Sequence, residues 1–350
     1  MEEVVQQFKE TILAAGRQRQ PLCIRGGGSK DWYGQIPQGE ILDTRAYQGV
    51  VAYDPTELVI TVRAGTPLAE VEAVLAQQNQ ALAFEPPHFG PDATVGGMVA
   101  CGMSGPRRAA VGAARDFVLG VVLMDGKGAV LHFGGQVMKN VAGYDVSRML
   151  AGSLGTLGLL LEVSLKVLPK PYAEATLRLE MPEEEAIRHL NVWGGQPLPI
   201  SANAWCDGAL LLRLSGAKAA ITAAQKTIGG EEIDGDDFWL AMREQSNEFF
   251  TQSDVLWRLS LPSIAPPLML GEQLIEWGGA QRWLRSDVDA AVIRAAAIQA
   301  GGHATLFRGG DKSVGVFQPL APAVARIHQN MKNAFDPDGI FNPGRMYPQY

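Results

Sequence analysis

The sequence has 350 residues, 47% hydrophobic and 19% charged, enough apolar material for one large or two medium cores and too much for a disordered chain. A formal net charge of −7, with no cationic cluster denser than Arg107-Arg108, argues against DNA, RNA or an anionic membrane surface as partner, because those surfaces are held by clustered Lys and Arg. Three cysteines, Cys23, Cys101 and Cys206, are odd in number and far apart; they fit neither a disulfide framework nor a C-x-x-C site, point to a reducing cytoplasm, and cannot alone ligate an iron–sulfur cluster.

Residues 1–20 carry Val4, Val5, Phe8 and Ile12 at helical spacing without an apolar h-region, which predicts a surface helix and not a signal peptide. No apolar stretch reaches bilayer length, since Asp125, Lys127 and Glu162 interrupt the best candidates; any membrane association is expected to come through partners. Residues 21–25 read as a strand that stops at Gly26, Gly27 and Gly28. Residues 58–63 read as a second strand. Thr66 is then expected as an N-cap and Pro67 as the first helical residue, with Leu68, Val71, Val74 and Leu75 forming one apolar stripe. Residues 117–124 and 129–133 flank Asp125-Gly126-Lys127-Gly128 and predict a hairpin. A strand over 157–168 is ended by Pro169 and Pro171, the expected boundary between a first domain, 1–171, and a second, 172–324. The second domain holds longer helical stretches such as 290–300. A final segment, 325–350, returns to Gly and Pro in residues 336–345 and reads as a structured loop.

Three constellations could carry chemistry. The first is Arg25-Gly26-Gly27-Gly28-Ser29-Lys30 directly after a strand. A diphosphate needs several converging backbone N–H groups, and glycine allows both the dihedrals and the close approach. Neither G-x-G-x-x-G opening a helix nor G-x-x-x-x-G-K-[ST] is present, which disfavours a Rossmann site and a P-loop; a plain glycine turn is the competing account. The second runs from Pro86-Pro87-His88 through residues 93–100 to 102–108, where Thr94 and Ser104 offer hydroxyl donors, or where a small-residue helix simply packs closely. The third is Arg115-Asp116, expected to open a strand, followed by residues 139–145 and 152–158. Several glycine-rich loops joined by strands suit a long ligand with a diphosphate at its middle.

Taken together, residues 25–30, 53–57, 93–100, 115–120, 139–145, 152–158 and 341–345 resemble the FAD-binding domain of the vanillyl-alcohol oxidase and p-cresol methylhydroxylase superfamily. Within it the chain is similar to the FAD-binding E subunits of bacterial glycolate oxidases, through Gly96-Gly97-Met98-Val99-Ala100-Cys101-Gly102, Gly105-Pro106-Arg107-Arg108, residues 137–143, and Gly271-Glu272-Gln273-Leu274-Ile275 leading to Trp277-Gly278-Gly279. The resemblance implies an α+β chain: a two-subdomain p-cresol-methylhydroxylase-type FAD-binding domain, then a smaller α/β cap domain over the isoalloxazine ring, then a tail returning to the FAD domain near the flavin. It implies that Arg25, Gly26, Gly27, Gly28, Ser29 and Lys30 hold the diphosphate. Thr94, Val95, Gly96, Gly97 and Ser104 would line the phosphate and ribityl path. Gly158 and Leu160 would meet the adenine side, and Gly143, Tyr144 and Asn342 would lie near the flavin. Pro87, Arg107 and Arg115 complete the implied set. Ser29 and Lys30 stand where covalent relatives carry a histidine, so the FAD is expected to be noncovalent.

The relatives that oxidise 2-hydroxy acids carry a histidine and acidic cluster holding a divalent metal. Here His88, His132, His189, His303 and His328 are isolated, and Gly301-Gly302-His303-Ala304-Thr305 is at best a degenerate echo of that string. No metal is expected. Cys101 reads as a small buried apolar residue. The expectation is an FAD-binding subunit of a cytoplasmic complex that oxidises glycolate, with D-lactate as the alternative substrate, to the 2-oxo acid. Its partners would be a homologous FAD-containing subunit that removes hydride from substrate and an iron–sulfur subunit. The competing accounts are a self-sufficient flavin oxidase of an alcohol or sugar, with Tyr144 or His303 near the flavin, and a noncatalytic scaffold that has lost the cofactor.

Overall fold

A computed structural model describes residues 1–135 and 145–350. The chain forms two units. The first comprises Met1–Met103, Ala113–Pro169 and Pro319–Tyr350; the second comprises Ser104–Gly112 and Lys170–Gln318.

The first unit opens with the helix Glu2–Gln18, which has Glu2 and Glu3 in its first turn and Arg17 in its last, each favourable to the helix dipole. Phe8, Ile12 and Ala15 form its buried stripe. The strand Leu22–Arg25 pairs in parallel with Glu40–Asp43, Leu22 opposite Glu40. Among the described residues an antiparallel five-stranded sheet runs in the order Val50–Asp54, Val59–Arg63, Leu159–Lys166, Val118–Met124 and Val130–Gly134. The last two strands form the expected hairpin. Asp125 closes its turn by accepting from the amides of Lys127 at 2.9 Å and Ala129 at 2.8 Å. The C-terminal segment adds to the edge of the parallel pair: Leu22 donates its amide to Ile340 and Asn342 donates to Leu22. One core joins the first helix to both sheets through Phe8, Ile12, Leu22, Met124, Leu159 and Phe341.

Two local expectations are corrected. Pro67, not Thr66, is the N-cap of the helix Leu68–Ala76. The Thr66 hydroxyl instead donates to the Arg63 carbonyl at 2.7 Å and accepts from the Gly49 amide at 2.9 Å. A threonine hydroxyl serves whichever backbone group lies nearest, and here the strand end outcompetes the helix start. Arg115 and Asp116 lie in a short helix, Ala114–Phe117, and the strand starts only at Val118. The Asp116 carboxylate accepts from the Ala113 amide at 2.8 Å and so closes the helix start.

Among the described residues, the second unit is built on an antiparallel eight-stranded sheet, ordered Glu231–Ile233, Ala173–Glu180, Ala209–Gly216, Ile200–Cys206, Glu272–Glu276, Gln281–Arg285, Leu256–Ser260 and His303–Arg308. Helices Glu183–Gly194 and Lys218–Ile228 cover a core of Leu177, Leu190, Trp193, Leu210, Leu212 and Leu214. Helix Ala290–Gln299 covers a second core around Trp257, Leu259, Leu284 and Ile293. Among the described residues no helix is long and apolar enough to cross a membrane.

Candidate functional site

A cleft opens in the first unit where the strand Leu22–Arg25 ends. Gly26, Gly27 and Gly28 form one wall. A Cβ on Gly27 would lie 1.6 Å from the Asp92 carbonyl oxygen, and one on Gly26 would lie 2.2 Å from Thr94 Oγ1. Gly28 has φ +72°, a conformation that L side chains avoid. These three residues are therefore glycine for stated steric reasons. Among the described residues the amides of Gly26, Gly27, Gly28 and Ser29 donate to no hydrogen-bond partner. Four consecutive unspent N–H donors in residues that line a cleft make a cradle for anionic oxygens.

The cations around this loop are fixed by its own geometry. Arg25 Nε meets Asp31 Oδ2 at 2.7 Å. Lys30 is buried, with Nζ 3.0 Å from the His88 carbonyl and 3.3 Å from Ser29 Oγ. Arg345, also buried, donates to the carbonyls of Asp31 at 2.9 Å, Lys30 at 3.4 Å and Gln35. Burial pulls the pKa of Arg345 down from its ordinary value, yet a guanidinium stays charged in proteins. Of the residues that line the cleft, three are these cations and one, Asp31, is a carboxylate, a balance that suits a diphosphate.

Thr94 caps the short helix Val95–Cys101, its Oγ1 accepting from the Gly97 amide at 3.3 Å. The Val95 and Gly96 amides are already given to the carbonyls of Thr66 and Ala64. Gly96 is needed because a Cβ there would meet the Ala64 Cβ at 2.8 Å. The opposite wall is the turn containing Leu154, Gly155 and Gly158, leading to Leu159 and Leu160. Asn342 ties this turn to the first strand: its Oδ1 accepts from the Ile24 amide at 2.7 Å, and its Nδ2 donates to the Leu154 carbonyl at 2.6 Å.

Of the residues singled out in the sequence, Arg25, Gly26, Gly27, Gly28, Ser29, Lys30, Thr94, Gly96, Gly97, Gly158, Leu160 and Asn342 line this cleft. Val95 does not; it is 0% exposed, its side chain turned into the core one helix position away from its cleft-lining neighbours. Pro87 is buried beside the cleft in the loop that supplies Lys30 with its His88 acceptor. Arg115 is exposed on its short helix, 3.9 Å from Asp116. Ser104 and Arg107 fold with the second unit, where Arg107 pairs with Glu174 at 2.5 Å. Gly143 and Tyr144 lie outside the described residues. Leu154 and Gly155 line it from the glycine-rich run 152–158 already singled out, while Cys101 and Arg345, inside strings that carried the resemblance, were not named as lining; Asp31, Thr44 and Ala64 were missed without a signal.

Cys101 lines the cleft, and burial raises its thiol pKa, so little thiolate is present near neutrality. Its alkylation by iodoacetamide should therefore be slow at neutral pH and slower still with a ligand in the cleft, as peptide mass mapping of labelled protein would show; equal labelling with and without ligand would place the ligand away from Cys101. Among the described residues no group of three or more His, Cys, Asp or Glu is placed to hold a metal ion. His303 begins a strand of the second unit, where burial and the Arg258 guanidinium lower its pKa.

Residues 3–134 match the FAD binding domain family. Over 345 residues, 98% of this chain and 97% of the relative, the sequence is 51% identical to the glycolate oxidase subunit GlcE of Escherichia coli (strain K12). It is 29% identical over 174 residues to the glycolate oxidase subunit GlcD of Bacillus subtilis (strain 168), a match covering 49% of this chain and 37% of that protein. A D-lactate dehydrogenase of Archaeoglobus fulgidus is 31% identical over 168 residues, 47% of this chain and 37% of that one. Among solved structures, an alkyldihydroxyacetonephosphate synthase aligns over 97% of this chain and 74% of its own with a TM-score of 0.67 and 14% identity, a likeness of fold. The cofactor that the family match names is FAD, and the unspent amides of the glycine loop fit its diphosphate.

Proposed function

The chain belongs to the family of the glycolate oxidase subunit GlcE, and from that premise we propose that it is the FAD-binding subunit of a complex that oxidises glycolate, with D-lactate as the alternative substrate, to the 2-oxo acid. The observation that carries this reading is the run of four unpartnered amides, Gly26 to Ser29, flanked by Arg25, Lys30 and Arg345. FAD, when bound noncovalently, supplies the two-electron redox chemistry. The residues of this chain orient and neutralise it. The loop amides hold the diphosphate, Thr94 and Gly97 border the ribityl path, and Gly158 and Leu160 border the adenine side. Asn342 keeps the walls of the cleft in register, its amide already committed to Ile24 and Leu154.

Among the described residues no cluster of His, Cys, Asp or Glu is placed to grip a metal beside a substrate carboxylate. The division of labour we favour therefore places hydride removal on a homologous FAD subunit, of the kind GlcD represents, with an iron–sulfur subunit taking the electrons onward. The complex is cytoplasmic, and any membrane contact runs through partners.

The test is to purify the chain with and without its partners, record the flavin spectrum of each, and add glycolate without oxygen. The isolated chain should be yellow and keep its flavin oxidised, while the complex bleaches. An isolated chain that turns over glycolate as fast as the complex would sink the division of labour and leave a self-sufficient oxidase; a colourless chain that still joins its partners would leave a scaffold.

A further inference from the structure

Lys332 and Asp336 stand one turn apart at the end of the helix Pro322–Phe335, 4% and 1% exposed. The Lys332 ammonium uses all three of its donors: on Asp336 Oδ2 at 2.6 Å, on the Phe341 carbonyl at 2.7 Å and on the Thr156 carbonyl at 2.8 Å. Asp336 in turn accepts from the amides of Ile340 at 3.0 Å and Phe341 at 2.8 Å. The carbonyls held by this ammonium belong to segments that both supply cleft-lining residues. Thr156 follows Leu154 and Gly155, and Phe341 precedes Asn342, whose Nδ2 lies 2.7 Å from where a Gly155 Cβ would be.

A buried ion pair contributes little net stability over an apolar substitute of similar volume, because desolvation offsets the attraction. What it does supply is direction: three bonds of fixed geometry that an apolar side chain cannot make. We propose that Lys332 is a cofactor-positioning residue, whose ammonium, held by Asp336, sets the register between the 154–158 turn and the 340–345 segment and through it the affinity and environment of the bound FAD. The proposal rests on the reading that the cleft takes FAD. Lys332 does not line that cleft; it acts through the two loops it joins.

The test compares wild-type apoprotein with Lys332→Met, with the doubly neutralised Lys332→Met/Asp336→Asn, and with Gly27→Ala as a cleft control. FAD affinity is read from quenching of flavin fluorescence, the flavin environment from its visible band, and stability from thermal melting of the apoproteins. The double variant should melt below wild type, since the Thr156 and Phe341 carbonyls lose their donor and an asparagine offers one acceptor where Asp336 offered two, yet stay folded while its Kd for FAD rises about tenfold or more and the flavin band shifts. A double variant with wild-type Kd and band, beside a Gly27→Ala chain that loses FAD, overturns the positioning role and leaves the cleft intact. A Gly27→Ala chain that also binds normally overturns the cleft itself. Should neither Lys332 variant fold, amide exchange on the wild type decides. FAD should slow exchange at Thr156, Ile340 and Phe341, and unchanged exchange there overturns the proposal.

Discussion

Replacing Gly27 by alanine should yield a folded chain that purifies without FAD. The added Cβ would lie 1.6 Å from the Asp92 carbonyl oxygen, 2.4 Å from its carbon and 2.8 Å from the Asp92 Cβ. Two of these atoms are backbone, so no rotamer change relieves the overlap and the loop itself must move. That motion carries the amides of Gly26, Gly27, Gly28 and Ser29 away from a common centre. Hydrogen bonds to a charged group contribute roughly 1.5–3 kcal/mol each, so losing two costs about 3–6 kcal/mol, roughly two to four orders of magnitude in Kd. Gly194→Ala is the matched control, because nothing lies within 4 Å of a Cβ there. The ratio of visible flavin to protein absorbance in each purified chain, with circular dichroism to confirm folding, gives the answer. Stoichiometric FAD in Gly27→Ala would remove the diphosphate from this loop.

The same loop shows why part of the site was legible. A glycine run after a short apolar strand marks a place where side chains cannot be accommodated, and that constraint is local. How the opposite wall is held was not legible, because its ties run to residues far away in sequence. Ile24 meets Asn342 across 318 positions, and Lys332 meets Thr156 across 176. No period or turn signal encodes such pairings. Asn342 was read as lying near the flavin, yet its amide is spent on two backbone groups, a use no local pattern announces. That the segment Ser104–Gly112 folds with the second unit was not legible for a related reason. Its small residues continue the character of the preceding helix, while the Arg107 partner Glu174, which places it with the second unit, lies 67 positions on. The hairpin at Asp125-Gly126-Lys127-Gly128 and the helix Ala290–Gln299 were legible because turn chemistry and apolar period are contained in their own residues.

Asn342→Ala should weaken both the fold and FAD retention, because one side chain closes two distant backbone gaps. It would leave the Ile24 amide and the Leu154 carbonyl without the partners they meet at 2.7 Å and 2.6 Å. Asn342 is 7% exposed, so water replaces those bonds poorly, at a cost of about 1–3 kcal/mol for each group. The backbone adds to this. Asn342 has φ +40°, a left-handed conformation that asparagine tolerates and alanine does not, at roughly 1–2 kcal/mol. The sum is on the order of 3–8 kcal/mol, a fall of roughly 4–11 °C in Tm for a chain of this size. Asn342→Gly separates the two contributions, since glycine relieves the dihedral but restores neither bond; it should recover only the smaller part. Asn342→Asp keeps an acceptor for Ile24 but sets a carboxylate against the Leu154 carbonyl, and should lose FAD more than it loses the strand pairing. Melting curves with and without FAD across the three variants read both effects. An alanine variant that melts and binds like wild type would mean that the clip does not hold the Leu154 wall of the cleft in place.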